Sequence, residues 1–134
     1  MAEIVNLTAD VVKDIHQEVL NIHGGLDGLR DEGLLISAIS AAQATWGGEP
    51  LFKEPIEAAA AYLFYLCKNH PFNDGNKRTA LAACLIVSRA NGLISSTQLP
   101  RERLVDWEHL TLDVASGKID RDETAKRLRN LLQR

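Results

Sequence analysis

The chain has 134 residues, 46% of them apolar and 25% charged, proportions that suit one globular domain, residues 1–134, with a single core. Its net charge of −3 and pI near 5.8 exclude a whole-chain basic footprint for nucleic acid or anionic membrane, so any anion site must be local. No apolar run is long and uninterrupted enough to span a bilayer. Glu3, Asn6 and Asp10 do not suit a signal peptide, so a cytoplasmic setting is expected. Cys67 and Cys84 form no Cys-x-x-Cys and lie in apolar runs, which predicts two buried free thiols.

Thr8 can cap a first helix reaching about Ile22. Val11, Ile15, Val19 and Ile22 fall on one stripe of it. His16 and His23 lie near this helix without a Glu or Cys partner at metal spacing, so they read as ordinary surface or core histidines. Gly24-Gly25 ends the helix. Arg30 or Asp31 precedes a second helix, about Glu32 to Ala44, with Leu35, Ile36, Ile39 and Ala42 expected inside. Trp46 to Phe52 then breaks the helical pattern with Gly and Pro. The plainer expectation is a connector; the alternative is a flap beside the active loop that holds an extended segment of another protein.

Pro55 at N1 and Glu57 in the first turn open a third helix, to about Asn69. Ala58 to Ala61 permit close approach by neighbours, and Tyr62 to Cys67 are bulky and apolar, so this is the expected central helix. A fourth runs from about Asn76 to Ala90 and stops at Asn91-Gly92. Pro100 opens a fifth, to about Ser116, with Gly117 as its stop. Asp120 caps a sixth, with Glu123 at N3 and Ala125, Leu128, Leu131 and Leu132 facing inward. Basic and acidic residues alternate between Arg101 and Arg129, as on a solvated face. The fold class is therefore all-α, a bundle of about six helices with a loop between its two central helices.

That loop, His70-Pro-Phe-Asn-Asp-Gly-Asn-Lys-Arg-Thr79, concentrates polar residues between two buried helices. Pro71 disfavours continuing the third helix through His70, and Asp74, Gly75 and Asn76 are turn and N-cap chemistry. The N-terminus of the fourth helix offers free N–H groups, from about Asp74 to Lys77, and a favourable dipole for an anion. Gly75 permits close approach by a phosphate. Lys77 and Arg78 add positive charge. Asp74 would repel an anion unless a cation stood between them, and Mg²⁺ shared with a nucleotide's phosphates resolves that conflict. His70 suits a general base that takes a proton from an attacking hydroxyl. These parts point to transfer of a phosphorus group from a nucleotide to a hydroxyl. Each also has a structural alternative: a helix-capping His70, turn residues at Asp74 and Asn76, and a solvated first turn at Lys77 and Arg78. Phe72 is the loop's hydrophobic anchor in either case. The stretch from Gly75 to Thr79 resembles a P-loop only superficially, since it lacks the first Gly and a preceding strand.

Read together, His70 to Arg78 resembles the signature of the Fic/Doc family, HPFx[D/E]GN[G/K]R. Eight of its nine positions are constrained, which makes coincidence a poor explanation. His23-Gly-Gly-Leu-Asp-Gly-Leu-Arg-Asp-Glu-Gly-Leu-Leu35 resembles the Doc (death-on-curing) branch, as do the length and helical order. The resemblance implies His70 as general base, Phe72 as anchor and Asp74 as Mg²⁺ ligand. It implies an anion hole around Asp74 to Asn76, and phosphate or nucleotide binding across Asn73, Asp74, Gly75, Asn76, Lys77 and Arg78, with Asn76 and Arg78 also organising the loop. AMP-transferring Fic enzymes carry Gly where this chain has Lys77. Doc-type enzymes carry Lys and are understood to present the γ-phosphate of ATP instead, phosphorylating a Thr of elongation factor Tu and stopping translation. The implied partner is a small Phd-like antitoxin whose tail folds into a groove on the toxin. Fic proteins that silence themselves often carry [S/T]xxxE[G/N]. The nearest match, Thr45 to Pro50, ends in Pro and reads as accidental. The alternatives are AMP transfer by a Fic-type enzyme and a catalytically silent binding protein on the same fold.

Overall fold

The computed structural model describes residues 3–94 and 104–132. Among them are six helices: α1 (Ala9–His23), α2 (Glu32–Ala42), α3 (Pro55–Asn69), α4 (Asn76–Ala90), α5 (Leu104–Ala115) and α6 (Arg121–Leu132). A two-residue hairpin, β1 (Thr45–Trp46) and β2 (Glu49–Pro50), joins α2 to α3, pairing Thr45 with Pro50 and Trp46 with Glu49. The all-α expectation therefore holds. The helix starts follow the sequence signals. Thr8 Oγ1 accepts from Val11 N–H, Asp31 Oδ1 from Leu34 N–H and Asp120 Oδ1 from Glu123 N–H, each satisfying an otherwise orphaned donor. Pro100 lies outside the described residues, so the start of the fifth helix is not tested there.

Helix α3 is the axis. It packs against α2, α4, α5 and α6. Ala58, Ala59, Ala60, Ala61, Tyr62, Leu63 and Leu66 are all at most 1% exposed, so four alanines bring neighbouring backbones close and the larger side chains fill the space beyond them. The buried hydroxyl of Tyr62 is satisfied. Tyr62 Oη accepts from Leu7 N–H and Gln43 Nε2 and donates to Asn6 Oδ1. This buried hydroxyl ties the N-terminal segment and the end of α2 to the axis, and burial pushes its pKa up. Cys67 and Cys84 are buried free thiols, as expected, both pushed up to about 12 by desolvation. At neutral pH they are inert.

Three expectations need correction. Helix α2 ends at Ala42 rather than Ala44, because Gln43 and Ala44 close tighter turns onto Ser40 and Ala41. Ile36 is 47% exposed; the inward positions are Leu35, Ala38, Ile39 and Ala42, the i, i+3, i+4, i+7 set that leaves Ile36 off the face. In α1 the buried face is Val12, Ile15, His16, Val19 and Leu20. Val11 and Ile22, at the edge of that face, are exposed at 39% and 68%.

Candidate functional site

Helices α2 and α3 run antiparallel, since Asn69 Nδ2, at the end of α3, reaches Leu34 O near the start of α2, and Gln43, just past the end of α2, reaches Tyr62 at the middle of α3. In chain order the Thr45–Pro50 hairpin precedes α3 and the His70 loop follows it. The hairpin connects α2 to α3, and a different segment, residues 24–31, is bonded directly to the loop. Leu29 bridges Phe72 in antiparallel fashion. Arg30 and Asp31 donate their N–H groups to Pro71 O, and Asn73 donates its N–H to Gly28 O.

Helix α3 ends with Asn69, and His70 takes a left-handed conformation (φ 52°, ψ 56°) with its N–H still bonded to Leu66 O. Among the described residues it alone has a positive φ without being glycine. Such a conformation costs about 1–2 kcal/mol and persists only where its surroundings enforce it. Arg30 supplies the enforcement. Its Nε donates to His70 O at 2.8 Å and its Nη2 to Asn69 O at 3.0 Å, placing a cation on the C-terminus of α3. The His70 side chain is exposed at the mouth of a groove.

Beyond His70 the chain dives inward. Pro71 and Phe72 are buried, and the Phe72 ring stacks on His16. Asn76 is only 5% exposed and clamps Phe72 at both backbone atoms, accepting from its N–H (2.9 Å) and donating to its C=O (2.8 Å). The Asn76 side chain therefore organises the loop, and what it can offer a ligand is its backbone N–H. Gly75, at φ 77°, is the N-cap of α4. The first helical bond runs from Thr79 N–H to Gly75 O, which leaves the N–H groups of Asn76, Lys77 and Arg78 without an intrahelical acceptor. Gly75 N–H is already taken by Asp74 Oδ1 at 2.9 Å. Asp74 Oδ2 accepts from Leu26 N–H at 3.0 Å. That contact needs Gly25, where a Cβ would lie 2.8 Å from the carboxylate.

Those two backbone donors, Leu26 first, hold the exposed Asp74 carboxyl below its usual range, so it is charged at neutral pH. An exposed, ionised carboxylate beside a free helix N-terminus fits a hard cation shared with phosphate oxygens. Asp74 is not part of a larger ligand cluster: no group of three His, Cys, Asp or Glu that could hold a metal ion occurs among the described residues. Lys77 and Arg78 are exposed on the first turn of α4.

His70, Asn73, Asp74, Gly75, Asn76, Lys77 and Arg78 all line one groove of about 1010 Å³. Its walls continue along α1 with Val11, Ile15, Val19 and Ile22, along α4 with Leu81 and Leu85, and along α5 with Leu104 and Leu112. The α1 stripe is thus divided: Ile15 and Val19 are buried in the core at the base of the groove, and Val11 and Ile22 are exposed along its wall. Two residues that hold the site were not read as part of it from sequence, His16 and Arg30. The run of glycines and Asp31 around Arg30 carried a signal. For His16 the signal was its place on the inward face beside Ile15 and Val19.

The Fic/DOC family model matches residues 6–88, more than half of the chain. The chain is 34% identical over 117 residues to a protein named "Protein kinase doc" from Escherichia phage P1, covering 87% of each. It is 37% identical over 105 residues to a protein named "Toxin Doc" from Mycolicibacterium smegmatis (strain ATCC 700084 / mc(2)155), covering 78% of each. With the His-Pro-Phe loop, the clamped N-terminus of α4 and the helical frame around them, these matches place the chain in the Fic/DOC family.

Proposed function

We propose that the protein is the toxin of a toxin–antitoxin pair and transfers the γ-phosphoryl group of ATP to a hydroxyl of a translation factor. The observation that carries this reading is the gathering of His70, the ionised Asp74 carboxylate and the free N-terminus of α4 in one groove. Helix N–H groups bind phosphate oxygens, and Lys77 and Arg78 add charge that stabilises a transferring phosphoryl group. Asp74 would hold Mg²⁺, which would offset phosphate charge when bound. The substrate oxygen attacks the γ-phosphorus, its proton passes to the His70 imidazole, the bond to the β-phosphate breaks and ADP leaves. Lys77 supports γ-phosphoryl over AMP transfer, because it stands at the motif position where AMP-transferring members of the family carry Gly.

The names of the two relatives support a toxin and a kinase. Elongation factor Tu, with a Thr as acceptor, is the proposed target, and the cytoplasm the proposed setting. No helix among the described residues is long and apolar enough to cross a membrane. A Phd-like antitoxin is the proposed partner. The groove supports it, since Val11, Ile22, Ile86, Leu104 and Leu112 leave apolar surface open along its walls. Expression in bacteria tests the reading: growth arrest that His70→Ala or Asp74→Ala abolishes supports an enzyme, and arrest that survives both contradicts it.

A further inference from the structure

The helix that forms one groove wall also grips the loop from beneath. His16, on α1, is 4% exposed. Its ring lies parallel to Phe72, with centroids 3.8 Å apart and planes 5° apart. Its Nε2 is 2.8 Å from Asp74 O. A carbonyl only accepts, so Nε2 must carry the hydrogen. Apolar side chains would fill the same space, and a buried imidazole costs free energy unless its polar atoms are used. Here the bond has a target outside the helix ladder, because the first bond of α4 uses Gly75 O.

We propose that His16 is a positioning residue for the phosphate loop, holding the Asp74–Gly75 peptide in the orientation that aims both the Asp74 carboxylate and the start of α4. The peptide unit is planar, so fixing its C=O toward α1 fixes its N–H toward the opposite side. That N–H is the one bonded to Asp74 Oδ1, while Oδ2 is held by Leu26. A chain of contacts therefore runs from His16 through one peptide to the carboxylate. The stack on Phe72 holds the ring at the angle that this bond requires, and Asn76 holds Phe72 in turn. A Cβ at Gly75 would lie 3.7 Å from His16 Cδ2 and 3.6 Å from Val19 and Leu20, ordinary van der Waals contact, so α1 packs within about one side-chain atom of the turn.

The role matters for function only if the loop binds a nucleotide as proposed above, but the contact itself is testable without that. His16→Phe keeps a ring on Phe72 and deletes the donor; His16→Gln returns an N–H near the Nε2 position. The first measurement is the imidazole nitrogen spectrum of the unaltered protein, which requires no variant to fold. It should show hydrogen on Nε2 of His16; hydrogen on Nδ1 alone overturns the proposal. The second is the set of backbone amide signals of Gly75, Asn76 and Lys77, with ATP and Mg²⁺ titrated in. His16→Phe should displace those signals and weaken ATP binding about tenfold, the loss of one well-placed hydrogen bond, and His16→Gln should restore both. Unmoved signals and unchanged affinity in His16→Phe overturn the proposal. Equal losses in both folded variants overturn it as well, since ring packing would then be all that counts. If the unaltered protein does not bind ATP, the nucleotide reading fails, while the tautomer and amide signals still decide the role of His16.

Discussion

The two ends of α3 carry loops of opposite construction. At the N-terminal end, the hairpin of Thr45–Trp46 and Glu49–Pro50 is held by its own short ladder and by Phe52, buried beneath Arg121. Trp46 is 83% exposed and Leu51 50%. At the C-terminal end, the His70 loop exposes charge and buries its anchor. Side chains from α1, from the 24–31 segment and from α4 itself grip its backbone. Exposed apolar residues on a lightly held turn need no fixed geometry, whereas a left-handed His, an ionised Asp and a free helix N-terminus must be kept in register to act together. The density of side-chain-to-backbone bonds, rather than loop composition, separates the two.

Substitutions can break that contrast, and the largest effect belongs to His70. Changing it to Gly should lower the transfer rate by about 10²–10⁴-fold. The same change should hold or raise stability by up to about 1 kcal/mol, since Gly accepts φ 52° without strain. Transfer assays and thermal unfolding on the same protein check both halves. Asn76→Ala should cost about 1–3 kcal/mol, because the buried N–H and C=O of Phe72 lose their partners. Denaturant unfolding would register it, and an unchanged midpoint would refute the clamp.

A smaller effect is the acid response. The folded-state pKa of Asp74 lies below its ordinary 3.8. Its contribution to stability is therefore complete above that ordinary value and is lost as pH falls through the lower folded one. The stability difference between the parent and Asp74→Asn should shrink in acid, as unfolding at pH 6 and pH 2.5 would reveal. Smallest of all, Trp46→Ala at the hairpin should shift stability by no more than about 0.5 kcal/mol and leave transfer unchanged. Lost activity there would make the hairpin a flap for the site.

Much of this was legible in the sequence because it rests on local chemistry. Thr8, Asp31, Asp120 and the Pro55 start marked helix ends through caps that act over three residues. The apolar density of residues 58–67 marked the axis, and the His70–Arg78 motif marked the site. What stayed hidden depends on which surfaces meet. His16 is one polar residue on an apolar face, and only the approach of the loop 58 positions later gives its ring a carbonyl. Arg30 caps a helix 40 residues away. Which turn lies beside the site followed from the antiparallel pairing of α2 and α3, which neither helix encodes alone. Val11 and Ile22 have the period of a core face but line a groove, since periodicity reports apolarity and not what covers it.

The central claim is that Lys77 and the α4 N-terminus present the γ-phosphate of ATP to a hydroxyl beside His70. Two reactions with the purified protein, Mg²⁺ and a bacterial lysate test it, one with ATP labelled on the γ-phosphate and one with ATP labelled on the α-phosphate. Protein labelled from the γ position alone, and lost in His70→Ala, is the predicted result. Label from the α position would mean that AMP is transferred despite Lys77, and would contradict the claim.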